Sequence, residues 1–381
     1  MKFLRLLRKN LTRNLLRSFL TFSTISVSLF LVATLMTALH ELQNPPETPD
    51  SALRLIVRHR VSLFNALPIA YRDKIRQIEG VQAVSGSMWF GGVYKDPSNF
   101  FAQFSVDTDQ FFEIYPDILV PEDQIKAFKE DRTGALVGNQ LITRFGWKVG
   151  DKIHLKGALF RFDPELTIRA VYEEGPDGGN TLYFHWEYFN QGMNDASFTG
   201  TYTIRARTPQ DIPIVSEAVD ELFKNANPPT KTETEKAFIL GFISMLGNLQ
   251  FLVASVCTVV IFTIILVAAN TMAMAIRERG REIAILKALG FSKRLVLSLL
   301  LSESVMLAMG GALAGSLGAA AIFSVINVQA VTGGMFPPVN VTGSTILICA
   351  AIGALVGLAA SGFPAWRASQ VSVAEALRRT V

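Results

Sequence analysis

Four long apolar runs stand out from an otherwise mixed chain, near residues 19–40, 239–274, 295–326 and 343–363. Each can cross a bilayer as a helix, which takes roughly 20 residues. Between the first two runs lies segment 41–236, where apolar and polar positions alternate at shorter range. Within it, YRDKIRQIEGVQAVSG (71–86) reads as a helix, a glycine stop and a strand. YTIRARTPQDIPIVSEAVDELF (202–223) reads as a strand followed by a helix. FFAQFSVD, ALVGNQL, DKIHLKG and LTIRAVYEE read as short strands punctuated by Gly and Asp. The pattern predicts an α/β layer with a small β-rich insert, a barrel or sandwich of its own, over about 101–200.

The second run follows the polar approach TKTETEKAF and stays apolar to Ala275. As one helix, 238–274 would measure about 55 Å, well beyond the roughly 30 Å hydrocarbon core. The pattern therefore predicts a stalk continuous with the second span over 237–275. Small residues four apart, Gly311 and Gly315 in the third run and Gly353 and Gly357 in the fourth, are expected at close helix contacts. Residues 1–18 read as a basic amphipathic helix, with Leu4, Leu7, Leu11 and Leu15 on one face and Lys2, Arg5, Lys9, Arg13 and Arg17 around the other. In the tail 364–381, Pro364 suits the first turn of a short helix and Ser372 with Glu375 a capping box.

Charge sets the expected orientation. Of the 36 Lys and Arg, 21 fall within 41–236, together with 28 of the 32 Asp and Glu, so that segment carries −7 and the rest of the chain +11. Basic residues concentrate before the first run, at 277–294 and at 367–379, while 327–342 has no charged residue. The positive-inside rule places both termini and 276–294 in the cytoplasm of an inner-membrane protein, and 41–236 and 327–342 outside. The expected fold class is an α-helical membrane protein with four transmembrane helices plus an α+β extracytoplasmic domain. The basic balance follows from topology and needs no nucleic-acid partner.

Candidate chemistry is sparse. The chain contains no G-x-x-x-x-G-K-[ST], G-x-S-x-G, H-E-x-x-H or C-x-x-C. Cys257 and Cys349 both lie in apolar runs, which suits packing rather than a disulfide or thiol site. The four histidines are scattered, so no metal set and no catalytic residue is assigned, and His185 beside Trp186 and Glu187 reads as a surface or packing feature. Glu303, the one acid inside an apolar run, reads as a buried hydrogen-bond anchor, with an ion or proton role as the lesser alternative. The charged segment RERGREIAILKALG (277–290) has Ile276, Ile283 and Leu286 at helical spacing. By composition it suits either a solvated helix beside the membrane or a surface for a protein partner. Its two acids, Glu278 and Glu282, favour the protein partner, because lipid gains little from Glu.

ANTMAMAIRERGREIAILKALGFSKRLVLSLLLSESVMLAMGGALAG (269–315) resembles the core motif of MacB/FtsX-like ABC transporter permeases. FPAWRASQVSVAEALRR resembles the closing motif of that family, and ALVGNQLITRFGWKVGDKIHL a strand pair of the MacB-like extracytoplasmic domain. The resemblance covers nearly the whole chain. It implies a type VII permease in split form, its ATPase a separate chain that carries the ATP and magnesium. It implies a pair of permease subunits, a periplasmic adaptor, and mechanotransmission from ATPase to outer domain. It places ATPase coupling on the segment between the second and third helices, hence on Arg277, Glu278, Arg279, Arg281, Glu282, Ile283, Leu286 and Lys287. Export or efflux is the expected role. Release of lipoproteins and FtsX-like signalling to a cell-wall hydrolase are the alternatives.

Overall fold

The computed structural model describes residues 14–45, 47–173, 175, 178–245, 247–326, 328 and 339–370. The residues 1–13 of the expected basic helix, the Ser372–Glu375 box and most of the loop 327–342 lie outside them. The elements run α1 (Leu15–Gln43), β1 (Arg54–His59), β2 (Leu67–Pro68), α2 (Tyr71–Arg76), β3 (Val81–Trp89), β4 (Ala102–Val106), α3 (Phe111–Ile114), α4 (Glu122–Glu130), β5 (Gly134–Gly138), α5 (Asn139–Phe145), β6 (Lys152–His154), β7 (Glu165–Tyr172), β8 (Thr181–His185), α6 (Trp186–Gly192), β9 (Phe198–Thr199), β10 (Thr201–Ala206), α7 (Asp211–Leu222), β11 (Thr230–Thr234), α8 (Glu235–Met245), α9 (Leu249–Glu278), α10 (Gly280–Ala288), α11 (Lys293–Val325) and α12 (Gly343–Gln370). They form two units, a helix bundle and an α/β domain over 44–245.

In the bundle, α1, α9, α11 and α12 are each long and apolar enough to cross a membrane. Their common core brings together Ile25, Leu29 and Val32 of α1, Cys257 and Ile264 of α9, Ala308 and Ala312 of α11, and Val356 of α12. Lipid gives no hydrophobic drive to such packing, so close backbone approach must supply it. The glycines provide that approach. A Cβ on Gly315 would sit 2.2 Å from Ser26 O, and one on Gly357 would sit 2.8 Å from Val305 Cα. Gly311 lies against Ile25, and Gly353 against Ala308 and Ala312. Several hydroxyls in the spans bond back to their own helix, as Thr37 does to Ala33 O at 2.7 Å and Ser361 to Gly357 O at 2.6 Å, which spares those donors from facing hydrocarbon bare.

Two expectations for the spans are corrected. The unbroken stalk and span of 237–275 is two helices, α8 and α9. Gly247 takes φ +95°, and the Asn248 side chain accepts from Phe251 N at 2.9 Å. A left-handed glycine followed by an Asn cap ends one helix and begins the next. Pro364 opens no new helix, because α12 runs through it to Gln370. Proline forfeits one backbone bond there, but Ala365 behind it is fully buried with Ile276, Ile283 and Val296.

In the 44–245 domain, the described residues form a nine-stranded sheet in the order β11-β1-β10-β3-β4-β8-β5-β7-β6, with β2 and β9 paired apart from it. The β-rich segment 101–200 is thus no separate barrel or sandwich. β4 pairs antiparallel with β3 and parallel with β8, so one sheet runs through. The strand expected in ALVGNQL stops at Gly138, where a Cβ would meet Gly179 O at 2.1 Å, and Asn139 starts α5. Near one end, Leu55, Val57, Tyr202 and Ile204 face Ile75, Val215 and Val219 of α2 and α7. Near the other, Leu166, Ile168, Leu182 and Phe184 pack with Leu141 and Phe189 of α5 and α6.

The start of α8 is held by charge. β11 lies antiparallel to β1 with Thr234 opposite Leu55, which sets Glu235 beside Arg54. Arg54 is fully buried, donating to Glu235 Oε2 at 2.7 Å and to Asp117 Oδ1 at 2.9 Å, with its guanidinium 4.7 Å over the Tyr115 ring. Burial alone would lower the Arg54 pKa, but the Asp117 hydrogen bonds and the Glu235 charge outweigh it and hold the cation. Burial raises the Glu235 carboxyl despite Arg54.

A carboxylate on the neighbouring strand behaves oppositely. Glu233 accepts from Arg58 Nε at 2.6 Å and lies 2.7 Å from Lys231 Nζ. Burial alone would raise its carboxyl, but these two cations bring it below the ordinary 4.5. Its stabilising effect is therefore complete above the unfolded value and lost as pH falls through the lower folded one. The thermal midpoint of the domain should fall between about pH 5 and pH 3, and Glu233→Gln should flatten that slope. An unchanged slope would contradict the pairing.

Candidate functional site

The charged segment lies where the basic ends of the four spans meet. α9 runs on through Arg277 and Glu278, so these two belong to its last turn rather than to a separate helix. After Arg279 the chain re-enters helix as α10, over Gly280–Ala288. Gly290 takes φ +89°, with Gly290 N bonded to Lys287 O at 3.0 Å and Phe291 N to Leu286 O at 3.1 Å. That bond pair ends a helix at a left-handed glycine. Ser292 then caps α11, accepting from Leu295 N at 3.3 Å.

Each membrane helix is tied to this segment by a polar contact or runs directly into it. Arg17 of α1 reaches Glu278 at the end of α9 at 2.5 Å. Arg279 Nη1 donates to both carboxylate oxygens of Glu303 on α11, at 2.8 and 2.7 Å. Lys287 Nζ donates to Ser369 O of α12 at 2.6 Å, and Lys293 to Gln370 Oε1 at 3.1 Å. Burial, then the nearby Lys293, lowers the Lys287 pKa. Glu303 is thus placed as a hydrogen-bonded anchor, about 9% exposed, with Arg279 completing it. Both groups of this pair are largely withdrawn from water, so loss of either would leave a charge the surroundings solvate poorly.

Of the residues singled out by sequence, Ile283 is buried with Ile276, Val296 and Ala365. Glu282, Leu286 and Lys287 are half-buried. Arg277, Glu278 and Arg281 are exposed. The open surface of α10 and its C-cap also includes two residues that sequence reasoning passed over, Ile285 at 56% and Leu289 at 71% exposure. Arg281, Ile285 and Leu289 stand four apart, on one stripe. That spacing was a readable signal, masked by the stronger stripe of Ile276, Ile283 and Leu286. His185, Trp186 and Glu187 point three ways. His185 Nε2 donates to Phe128 O at 2.6 Å, Trp186 Nε1 donates to Phe198 O at 2.9 Å, and Glu187 lies 3.4 Å from Arg132.

The chain matches the family described as MacB-like periplasmic core domain over residues 18–222, and FtsX-like permease C-terminal over residues 254–373. Four membrane-length helices with an α/β domain between the first two, matched in this way, define a permease of the ABC-transporter class. Within that class the chain belongs to the MacB/FtsX-like, type VII permeases. It is 24% identical over 321 residues to the uncharacterized ABC transporter permease MJ1507 of Methanocaldococcus jannaschii, covering 81% of this chain and 79% of that one. It is 27% identical over 191 residues to the macrolide export ATP-binding/permease protein MacB of Bdellovibrio bacteriovorus, covering 48% of this chain and 28% of that protein. Among solved structures it resembles the periplasmic region of MacB from Actinobacillus actinomycetemcomitans, with TM-score 0.38 and 11% identity over 50% of this chain and 92% of that one. It also resembles the extracellular domain of the noncanonic ABC-type transporter YknZ from Gram-positive bacteria, with TM-score 0.37 and 11% identity over 47% of this chain and 99% of that one.

Proposed function

We propose that this permease is the membrane subunit of an ABC-type exporter, driven by an ATPase on a separate chain that docks on α10. The observation that carries the reading is the two-sidedness of α10. One side exposes the stripe Arg281, Ile285 and Leu289. The segment's other contacts hold α11 through Arg279–Glu303 and α12 through Lys287–Ser369. A push on that stripe reaches both helices through bonds rather than through loops. Among the described residues the spans carry no charged side chain between Glu41 and the basic end except Glu303, and Arg279 engages it. That supports mechanotransmission to the 44–245 domain over conduction through the bundle. The export role named for the Bdellovibrio relative fits this reading, and a second permease copy and a periplasmic adaptor complete the proposed assembly. ATP and magnesium act on the partner, not on this chain. The proposed setting is the inner membrane, with both termini and α10 on the cytoplasmic side.

The test uses the permease copurified from its own membranes with its ATPase. Ile285→Asp with Leu289→Asp should cut permease-stimulated ATP hydrolysis at least tenfold while the permease stays folded in the membrane. Full stimulation by that double variant would sink the docking assignment.

A further inference from the structure

Between α1 and α9 runs an open groove of about 430 Å³. Thr24, Ser28 and Leu31 line one wall, and Val260, Thr263 and Val267 the other. The hydroxyls of Thr24 and Thr263 bond to Leu20 O and Val259 O, both at 2.8 Å, so these two are spent within their own helices and present little polarity to the groove. Arg17 lies on the same stripe of α1, close to two turns before Thr24 and three before Ser28. On α9, Glu278 lies about three turns beyond Val267, again on the groove side.

The Arg17–Glu278 pair closes the basic end of the groove. It occupies only one arm of the guanidinium. Nη2 meets Glu278, while Nη1 is buried and has no hydrogen-bond partner among the described residues. A cationic donor left without an acceptor beside hydrocarbon is unfavourable, and an anionic oxygen relieves it better than a neutral one. The side chain as a whole is 20% exposed, so a small rotation presents Nη1 to an incoming group.

We infer that this groove is a binding site for one phospholipid from the leaflet at the bundle's basic end. An acyl chain lies along the α1–α9 groove, and a phosphate oxygen accepts from Arg17 Nη1. The dimensions agree. From Arg17 to Leu31 the helix rises about 21 Å, close to one leaflet's chain region of about 15 Å plus its headgroup layer. The groove holds the chain, and the cation selects the leaflet and the phosphate.

Native mass spectrometry of the full-length permease, delipidated in detergent and titrated with dioleoyl phosphatidylglycerol, tests the inference. The wild type should retain one lipid. Arg17→Gln should weaken it at least tenfold and Arg17→Lys should restore most of it. Thr263→Phe, which fills the groove, should weaken it as much as Arg17→Gln. Glu278→Gln leaves the cation in place and should keep the lipid. Dioleoylglycerol, which lacks the phosphate, should bind at least tenfold more weakly. Equal retention in wild type, Arg17→Gln and Thr263→Phe overturns the site, as does loss of lipid in Glu278→Gln, which would trace the effect to the ion pair. Inorganic phosphate that competes equally with and without Thr263→Phe would make it a free-anion site instead. Disulfides between copies carrying Ser28→Cys and Thr263→Cys, formed at the expense of lipid, would assign the groove to a second copy.

Discussion

Arg54→Met should destabilise the 44–245 domain by about 3 kcal/mol or more, the usual cost of removing one partner of a buried ion pair. Arg54 is fully buried, and the two carboxylates it serves, Asp117 and Glu235, are each only 16% exposed. Without the guanidinium, both anions face each other and the Tyr115 ring in a poorly solvated place. Denaturant unfolding followed by tryptophan fluorescence reads this directly, since Trp89, Trp147 and Trp186 lie in the domain and only Trp366 lies elsewhere. Adding Asp117→Asn and Glu235→Gln to Arg54→Met should recover most of the loss, because neutral groups no longer need the cation. The defect should also shrink toward acid. Burial already raises the Glu235 carboxyl above its ordinary value, so it gains a proton readily once Arg54 is gone. A loss under about 1 kcal/mol in the single variant, the range of an exposed pair, would show that the cluster does not hold the start of α8.

Gly315→Ala should destabilise the bundle by about 2 kcal/mol, in the range of overpacking a close-packed contact. The added Cβ would stand 2.2 Å from Ser26 O and 2.8 Å from Phe30 N. Both are backbone atoms of α1, so no side chain can move aside, and α1 and α11 must separate. Gly362→Ala is the control, since nothing lies within 4 Å of a Cβ there. It should stay within about 0.5 kcal/mol of the parent. The thermal midpoint of the detergent-solubilised protein, followed by size-exclusion of the surviving fraction, separates the two. Equal midpoints for both variants would deny the close approach at Gly315.

The four spans were legible because lipid demands long uninterrupted apolar helices, and few other uses of a chain produce them. The glycine pairs were legible for the same reason, since small residues at that spacing have little else to do in a span. Gly247 was not. A single glycine inside a greasy run reads as tolerated, and only its left-handed backbone with Asn248 behind it makes a stop. Pro364 failed the other way. It reads as a start, yet the packing around Ala365 outweighs one missing backbone bond. The sheet was half legible. β7 shows its alternation plainly, but the pairing of β4 with β8 joins residues about 80 apart in sequence, and nothing local announces it. In the candidate site, charge density marked the segment on which the ends of the four spans converge. Which side faces out was hidden, because Ile283 and Ile285 look alike until the positions of Val296 and Ala365 are known.

The ties at the basic end also carry an order in time. Arg17 and Glu278 are 261 residues apart, and Lys287 and Ser369 are 82 apart. As the chain is made, the first of these can close only once α9 has emerged, and the second only once α12 is nearly complete. Before that, Arg17 and Lys287 are cations beside a membrane that have yet to meet these partners, the state in which basic residues fix a span's direction. In the orientation proposed above, one set of charges acts twice, first as orientation marks on separate helices and later as the fastening that joins them. A chain truncated before Ser369 would keep the marks and lose that fastening.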